Sequence, residues 1–327
     1  MKIIDGGFLQ SEEWRKFKEK TGLKTFFIGD ENFNASILQH ALPLKLNYFF
    51  IPRGPIFNLN KNIRENFQRV IDLAKENNIS WIRVEPQSQA DLEILKKNID
   101  EFKFIKSAKN HQPPQTLVID LQKTEDEILF NMKKKTRYNI KFSEKKNIVF
   151  ESTRDKKDID EFLGLIKVTS TRNKIVNYEF DYYKNLFDFF DEKIIRLYVA
   201  KYEGKILAGI VSIFYKDTVT NLYGASSNEH RNLKAPYGLR WKIIKDAKEE
   251  GFKNHDLGGT KIIKNEKGEN IPASGDWFGF SQIKLGFCYI CEPIEFPGCY
   301  DIVLNSKKYW LYRSLQKVKD FLNRFKK

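Results

Sequence analysis

The 327-residue sequence predicts a mixed α/β (α+β) fold of two tandem units, each with a mixed, mostly antiparallel sheet flanked by helices. Three observations predict it. Short aromatic and β-branched runs alternate with segments whose apolar residues recur at three- and four-residue spacing. The order strand, turn, strand, strand, loop, helix, strand occurs twice. Two stretches also superpose at about the same offset: Ala74-Lys75-Glu76-Asn77-Asn78-Ile79 falls on Ala247-Lys248-Glu249-Glu250-Gly251-Phe252, and Phe27 to Ala35 falls near Val199 to Leu207. The period is far too long for a solenoid and reads as an internal duplication. The first domain is expected to span 1–145 with 297–327 packing back on it, and the second 146–296.

The elements follow in order. Residues 10–22 form a short helix with Trp14 and Phe17 inward, ended by Gly22. Strands are expected at 25–28, 37–38 and 46–51, with a polar turn over 30–34 and a rigid turn at Pro52-Arg53-Gly54-Pro55. A helix over 62–77 presents Ile63, Phe67, Val70, Ile71 and Ala74 on one side, and the strand Trp81–Val84 follows. Residues 125–146 read as one helix, acidic at its start and basic after Met132. Its polarity matches the helix dipole, yet Lys133, Lys134, Lys135, Arg137, Lys141, Lys145 and Lys146 surround most of its circumference, which also suits a phosphate backbone. A strand at 148–150 and helices over 157–172 and 180–190 lead to the second copy. There strands at 196–200, 208–215 and 219–223 run into a loop, a helix over 237–250, a stop at Gly251 and a strand reaching Gly258-Gly259. The tail from 306 to 327 is amphipathic through Tyr309, Leu311, Leu315, Val318, Leu322 and Phe325. It is expected to dock on the domains, with a membrane-surface helix as the second reading.

Composition bounds the function. With 41% hydrophobic and 14% aromatic residues the chain has ample core, and its net charge of +14 favours an anionic partner such as nucleic acid, a phosphorylated metabolite or a lipid surface. Richness in Lys, Asn, Ile and Phe together also follows from an AT-rich genome, so the position of charge says more than its sum. The N-terminus carries no secretory pattern, and no run approaches the roughly eighteen apolar residues of a membrane span, so the protein is expected in the cytoplasm. Cys288 and Cys291 match C-x-x-C, but the run GFCYICEPIEF reads as a strand that would point them to opposite faces. Neither metal nor redox use is expected of them.

Hydrolase and nucleotide motifs are missing. Gly224-Ala225-Ser226-Ser227-Asn228 lacks the second glycine of a nucleophile elbow, and there is no H-E-x-x-H, P-loop or G-x-G-x-x-G. Two such α/β units resemble the GNAT-like acetyl-CoA-dependent N-acyltransferases. The run corresponding to their phosphate loop, Arg231 to Pro236, nevertheless has Lys234 and Pro236 where glycines must let the backbone approach a pyrophosphate.

A more specific resemblance lies in an ordered set of motifs. It comprises Gln10-Ser11 with Trp14 and Lys18, Pro52-Arg53-Gly54-Pro55, Lys135-Thr136-Arg137, Thr169-Ser170-Thr171-Arg172, Tyr223-Gly224-Ala225-Ser226-Ser227, Ala247-Lys248 with Gly251, Asp256 and Gly258-Gly259, and Ile283-Lys284-Leu285-Gly286-Phe287. Together, from near residue 10 to near residue 301, these resemble the Fem family of peptidoglycan bridge-forming aminoacyltransferases, in its shorter, arm-less form. The resemblance implies two GNAT-like domains that use aminoacyl-tRNA as donor and add an amino acid to the stem peptide of UDP-MurNAc-pentapeptide or lipid II. The donor ester is already activated, so the reaction requires neither ATP nor a metal, and no cofactor is expected. The resemblance further implies that Lys284 acts in catalysis and, with Ile283, at the tRNA acceptor end, that Lys18 and Arg172 hold the precursor pyrophosphate, that Tyr223 lines the precursor groove, and that Glu85 lies near the acceptor as a base. Lys134, Lys135 and Arg137 are the candidate tRNA contacts. A monomer, with peripheral contact to the cytoplasmic membrane face, is the expected state. Two alternatives stay open: a GNAT-type N-acyltransferase with another acyl donor, and a non-catalytic tRNA- or membrane-binding homologue.

Overall fold

A computed structural model of the chain describes residues 4, 6–58, 62–173 and 178–324. The chain divides into two compact units, Met1–Gln112 with Phe296–Lys327, and Pro113–Glu295.

The first unit begins with α1 (Glu12–Lys20). Ser11 caps it by accepting the Trp14 N–H at 3.1 Å, and Trp14 and Phe17 are buried as the spacing predicts. Strands β1 (Lys24–Gly29), β2 (Phe33–His40) and β3 (Tyr48–Ile51) run antiparallel in sequence, and the short β4 (Ile56–Phe57) pairs with the start of β2. Helix α2 (Ile63–Glu76) crosses over to β5 (Trp81–Val84), which lies parallel to β3. Phe67, Val70, Ile71 and Ala74 of α2 are fully buried against Ile37, Phe49 and Ile82 of the sheet. Helix α3 (Gln89–Asn98) and strand β6 (Phe104–Lys106) follow.

The second unit opens with β7 (Gln115–Asp120), α4 (Glu125–Phe130), α5 (Lys134–Glu144) and β8 (Val149–Thr153). The single basic helix expected over 125–146 is therefore two helices. The first ends at Asn131, and the Arg137 guanidinium caps it by donating to the carbonyls of Leu129 and Phe130, both at 3.2 Å, and of Met132. Helices α6 (Lys156–Asn173) and α7 (Phe180–Phe189) lead to the antiparallel strands β9 (Ile195–Tyr202), β10 (Lys205–Tyr215) and β11 (Thr218–Ser226). Helix α8 (Ala235–Glu249) crosses over to β12 (Asn254–Thr260), parallel to β11. The hairpin β13 (Ile262–Lys264) and β14 (Asn270–Pro272), helix α9 (Phe278–Phe287) and the short β15 (Ile294–Glu295) complete the unit. The seven-stranded order is β15-β7-β12-β11-β10-β9-β8.

Strand β16 (Tyr300–Val303) and helix α10 (Ser306–Arg324) return to the first unit, whose sheet runs β1-β2-β3-β5-β16-β6. Each sheet thus places an antiparallel strand beside its crossover strand, β16 next to β5 and β7 next to β12, and each of these strands follows the other unit in sequence. This is why residues 113–145, expected with the first domain, lie with the second. The duplication is visible at the helix ends. The Ile79 N–H reaches back to the Ala74 carbonyl at 2.9 Å and the Phe252 N–H to the Ala247 carbonyl at 3.0 Å, around Asn78 at φ 53° and Gly251 at φ 83°.

Two further expectations change. Residues 278–287 are helical, and Cys288 and Cys291 sit in the turn that ends this helix, bonded to each other with Cα atoms 5.3 Å apart. A turn, unlike a strand, brings side chains three apart to one side. Helix α10 docks through Tyr309, which is fully buried, and through Tyr312, which stacks on Trp81 at 4.5 Å. Leu311, Leu315, Val318 and Leu322, expected on the docked face, are 44 to 56% exposed, because the tyrosine face and the leucine face are different sides of the helix. Phe325 lies outside the described residues.

The first unit also carries a buried ion pair. Arg83 on β5 donates from Nε and Nη2 to both carboxylate oxygens of Asp301 on β16, at 2.7 and 2.9 Å, and the Tyr309 hydroxyl donates to the same carboxylate at 3.0 Å. These bonds raise the already high proton affinity of Arg83 despite its burial.

Candidate active site

In the second unit β11 and β12 pair only over Thr218–Thr220 and Asn254–Asp256. Beyond that point β12 keeps its partner β7 on the other side, and β11 goes its own way. In the first unit the corresponding strands β3 and β5 stay paired from Tyr48 to Ile51, and the Glu85 N–H extends the contact to the Gly54 carbonyl. The parting of β11 from β12 leaves a cavity of about 360 Å³, lined by both strands, by α6 and α8, and by α9. Its lining contains Arg172, Tyr223, Ile283 and Lys284, so four of the residues singled out in the sequence meet in one place.

Lys284 is delivered by α9, and its Nζ donates to the Gly259 carbonyl of β12 at 2.8 Å. Burial pushes the ammonium down to about 7; Arg240 adds to the effect and Asp256 opposes it. The Asp256 carboxylate accepts the Gly258 N–H at 2.8 Å and a short hydrogen bond from the Thr116 hydroxyl. Gly258 has φ 76°, and a Cβ there would lie 2.4 Å from the Asn221 carbonyl oxygen, so only glycine permits this approach of the two strands. Gly286 meets Thr136 of α5, where a Cβ would be 2.4 Å from the hydroxyl, and the Lys133 N–H donates to the Gly286 carbonyl at 2.9 Å. The basic segment therefore buttresses the helix that carries Lys284.

Arg172, near the end of α6, donates to the Ser226 carbonyl and Ser226 Oγ, both at 3.2 Å, and to Asn228 Oδ1 at 2.5 Å. It thereby holds the end of β11. Burial and the neighbouring Arg231 lower its proton affinity. The Tyr223 hydroxyl donates to that of Tyr182 at 3.4 Å, and its ring packs edge-on to Tyr183 at 5.0 Å; burial among these rings raises its pKa. Tyr182 and Tyr183 on α7 belong to no motif that marks them in the sequence. Trp277 and Phe280 add aromatic lining near Ile283.

Other expected site residues lie elsewhere. Lys134 and Lys135 are exposed on α5, and Arg137 is committed to the cap described above; none of the three lines the cavity. Lys18, in the first unit, is buried on α1 with Nζ 4.4 Å from the Trp14 ring centre, and burial pushes it down to about 8. Glu85, expected near the acceptor as a base, is fully enclosed in the first unit. Its two oxygens accept the Arg53 N–H at 3.2 Å and the Gln112 N–H at 3.0 Å, and burial raises its pKa. A strand-end carboxylate one residue past β5 is drawn inward to tie down the 52–55 turn, which its position in the sequence does not reveal.

Comparison with known proteins gives a consistent picture. The FemAB family model matches residues 3–205 and 198–317. Lipid II:glycine glycyltransferase of Staphylococcus aureus (strain USA300) is 24% identical, over 98% of this chain and 93% of that protein. The crystal structure of FemX superposes with a TM-score of 0.77 at 20% identity, covering 94% of this chain and 95% of that one. A tandem GNAT protein from the clavulanic acid biosynthesis pathway reaches a TM-score of 0.50 at 8% identity, covering 92% and 97%. These likenesses agree with a fold of two GNAT-like units, and the match along nearly the whole sequence shows that the chain belongs to the FemAB family.

Proposed function

We propose that the chain transfers an aminoacyl group from aminoacyl-tRNA to an amine on the stem peptide of a peptidoglycan precursor. The observation that carries this reading is the placement of Lys284, in a FemAB-family chain, at a cavity where two strands part and cationic side chains gather. The acceptor amine attacks the ester carbonyl, the C–O bond to the ribose breaks, and the proton shed by the amine passes to the departing ribose oxygen. The protein supplies alignment and a cation for the oxyanion, and Lys284 is that cation. Lys18 and Arg172 are assigned to the diphosphate of the precursor, Tyr223 to its groove, and Ile283 to the acceptor end of the tRNA. Lys134 and Lys135 are exposed and suit the RNA backbone.

A lipid-linked acceptor fits the tail. The exposed stripe of Leu311, Leu315, Val318 and Leu322, with Trp310 and Phe321 beside it and Lys307, Lys317 and Lys319 on the same helix, has the composition of a helix that lies in an anionic membrane surface. The relative of that name acts with lipid II and glycine, which makes this pair the first to try. The test is passage of labelled amino acid from charged tRNA to a lipid-linked or nucleotide-linked pentapeptide. Transfer from acetyl-CoA in its place, with none from any charged tRNA, would overturn the reading.

A further inference from the structure

The cavity of the second unit is unbalanced in charge. Among the described residues four cations line it, Arg172, Arg231, Arg240 and Lys284, and no Asp or Glu does. Arg172 is spent in part on β11, and Lys284 has Asp256 nearby. Arg240 has less relief than either. It sits in the second turn of α8, flanked by the buried Leu239 and Trp241, and is itself only 8% exposed. Its Nη1 donates to the Pro236 carbonyl at 3.1 Å, its Nε has no hydrogen-bond partner, and no carboxylate pairs with it among the described residues. Burial lowers its pKa only to about 10, so it remains a cation at neutral pH.

A second buried donor in the same lining is also unanswered. Asn221 Oδ1 accepts from Ser212 Oγ at 2.9 Å and lies 3.1 Å from His255 Nε2, while Asn221 Nδ2 has no partner. Buried donors left without acceptors, and buried charge without a counter-charge, are costly enough that a folded protein keeps them mainly where something else completes them. A ligand that brings several acceptor oxygens and more than one negative charge answers both.

We propose that Arg240 and Asn221 form the inner end of a phosphate site, with Arg172 and Arg231 as further cations of the same lining, so that a phosphate group of the ligand completes the charge of the cavity. The guanidinium fork suits phosphate oxygens, and Asn221 adds a neutral donor. This deepens the aminoacyl-transfer reading, since the donor RNA carries phosphodiesters and the precursor a diphosphate. It does not depend on that reading, because binding is measured without transfer.

The test compares wild type, Arg240→Gln and Arg240→Lys by calorimetric titration with inorganic pyrophosphate and by thermal unfolding in plain buffer. The expected result is pyrophosphate affinity at least about tenfold weaker in Arg240→Gln, the loss of one charge-assisted contact, with Arg240→Lys between the two. In buffer, Arg240→Gln should unfold no earlier than wild type, because an uncompensated charge has been removed. Unchanged affinity in Arg240→Gln would overturn the proposal, and so would earlier unfolding in buffer, which marks a structural prop. Two further titrations separate the sources: a hairpin RNA ending in an unpaired 3′ strand, and a uridine diphosphate sugar. Weakening by Arg240→Gln of the RNA alone assigns the site to the donor, of the sugar diphosphate alone to the acceptor. Weakening of neither overturns the proposal, whether or not the protein transfers amino acids.

Discussion

Replacing Asp301 by Asn tests whether the returning C-terminal segment is locked to the first unit by charge. The Arg83 and Asp301 side chains are 4% and 0% exposed, so the remaining guanidinium would be a buried cation missing one of its two bonds to the partner. Breaking such a pair from one side costs about 3–5 kcal/mol. For a unit of this size each kcal/mol lowers the midpoint by about 2–4 °C, so a drop of roughly 6–20 °C is expected in a calorimetric scan. The double variant Arg83→Met with Asp301→Leu removes both charges and should recover most of the loss, since well-packed apolar replacements of buried pairs are about neutral. A midpoint within about 2 °C of wild type for Asp301→Asn would show that the pair does not hold the returning segment. A double variant as unstable as the single one would show that the two side chains matter by shape and not by charge.

Three other outcomes are expected. Because the Lys284 ammonium is pushed down to about 7, a role as cation is lost as pH rises through that value, whereas the guanidinium of the Lys284→Arg variant stays charged. The ratio of wild-type to Lys284→Arg kcat/KM should therefore fall by about tenfold per pH unit above about pH 7, titration of the acceptor amine cancelling between the two; a ratio flat to about pH 9 contradicts the assignment. Gly258→Ala places a Cβ against the Asn221 carbonyl at positive φ, which costs about 1–3 kcal/mol and disturbs Lys284 from 3.4 Å away; a thermal midpoint equal to wild type would show that the strands can yield. Leu315→Asp with Val318→Asp should abolish co-sedimentation with anionic vesicles without lowering the midpoint, because both positions are exposed on α10; binding equal to wild type would remove the membrane reading.

Much of the architecture is legible in periodicity, since α2 buries one continuous set of positions, and Ala74 and Ala247 end equivalent helices with the same backbone bonds. Long-range pairing is not: nothing local in β7 says that it joins β12 and not the sheet that precedes it. Short aromatic segments are ambiguous for a related reason, and Gly286 to Phe296, whose composition favours a strand, holds a helix end, a turn and the two-residue β15. Helix α10 has two apolar faces, and only tertiary contact decides which one docks. At the site, Arg172, Tyr223, Ile283 and Lys284 were recognised through a motif, whereas Arg240 was hidden. An arginine between Leu239 and Trp241 reads as the solvated edge of an amphipathic helix, until α8 turns out to be buried on several sides. The burial of Glu85, whose oxygens accept two backbone N–H groups, is equally invisible in its local sequence.

We propose above that this cavity holds the ester of an aminoacyl-tRNA beside Lys284. The most direct test is single-turnover transfer of labelled glycine from glycyl-tRNA to lipid II by wild type and by Lys284→Met, with RNA affinity measured in parallel. Wild type should transfer, and Lys284→Met should be slower by about 100-fold or more at nearly unchanged affinity, as expected when an oxyanion contact is removed. Transfer by Lys284→Met at the wild-type rate would contradict the proposal.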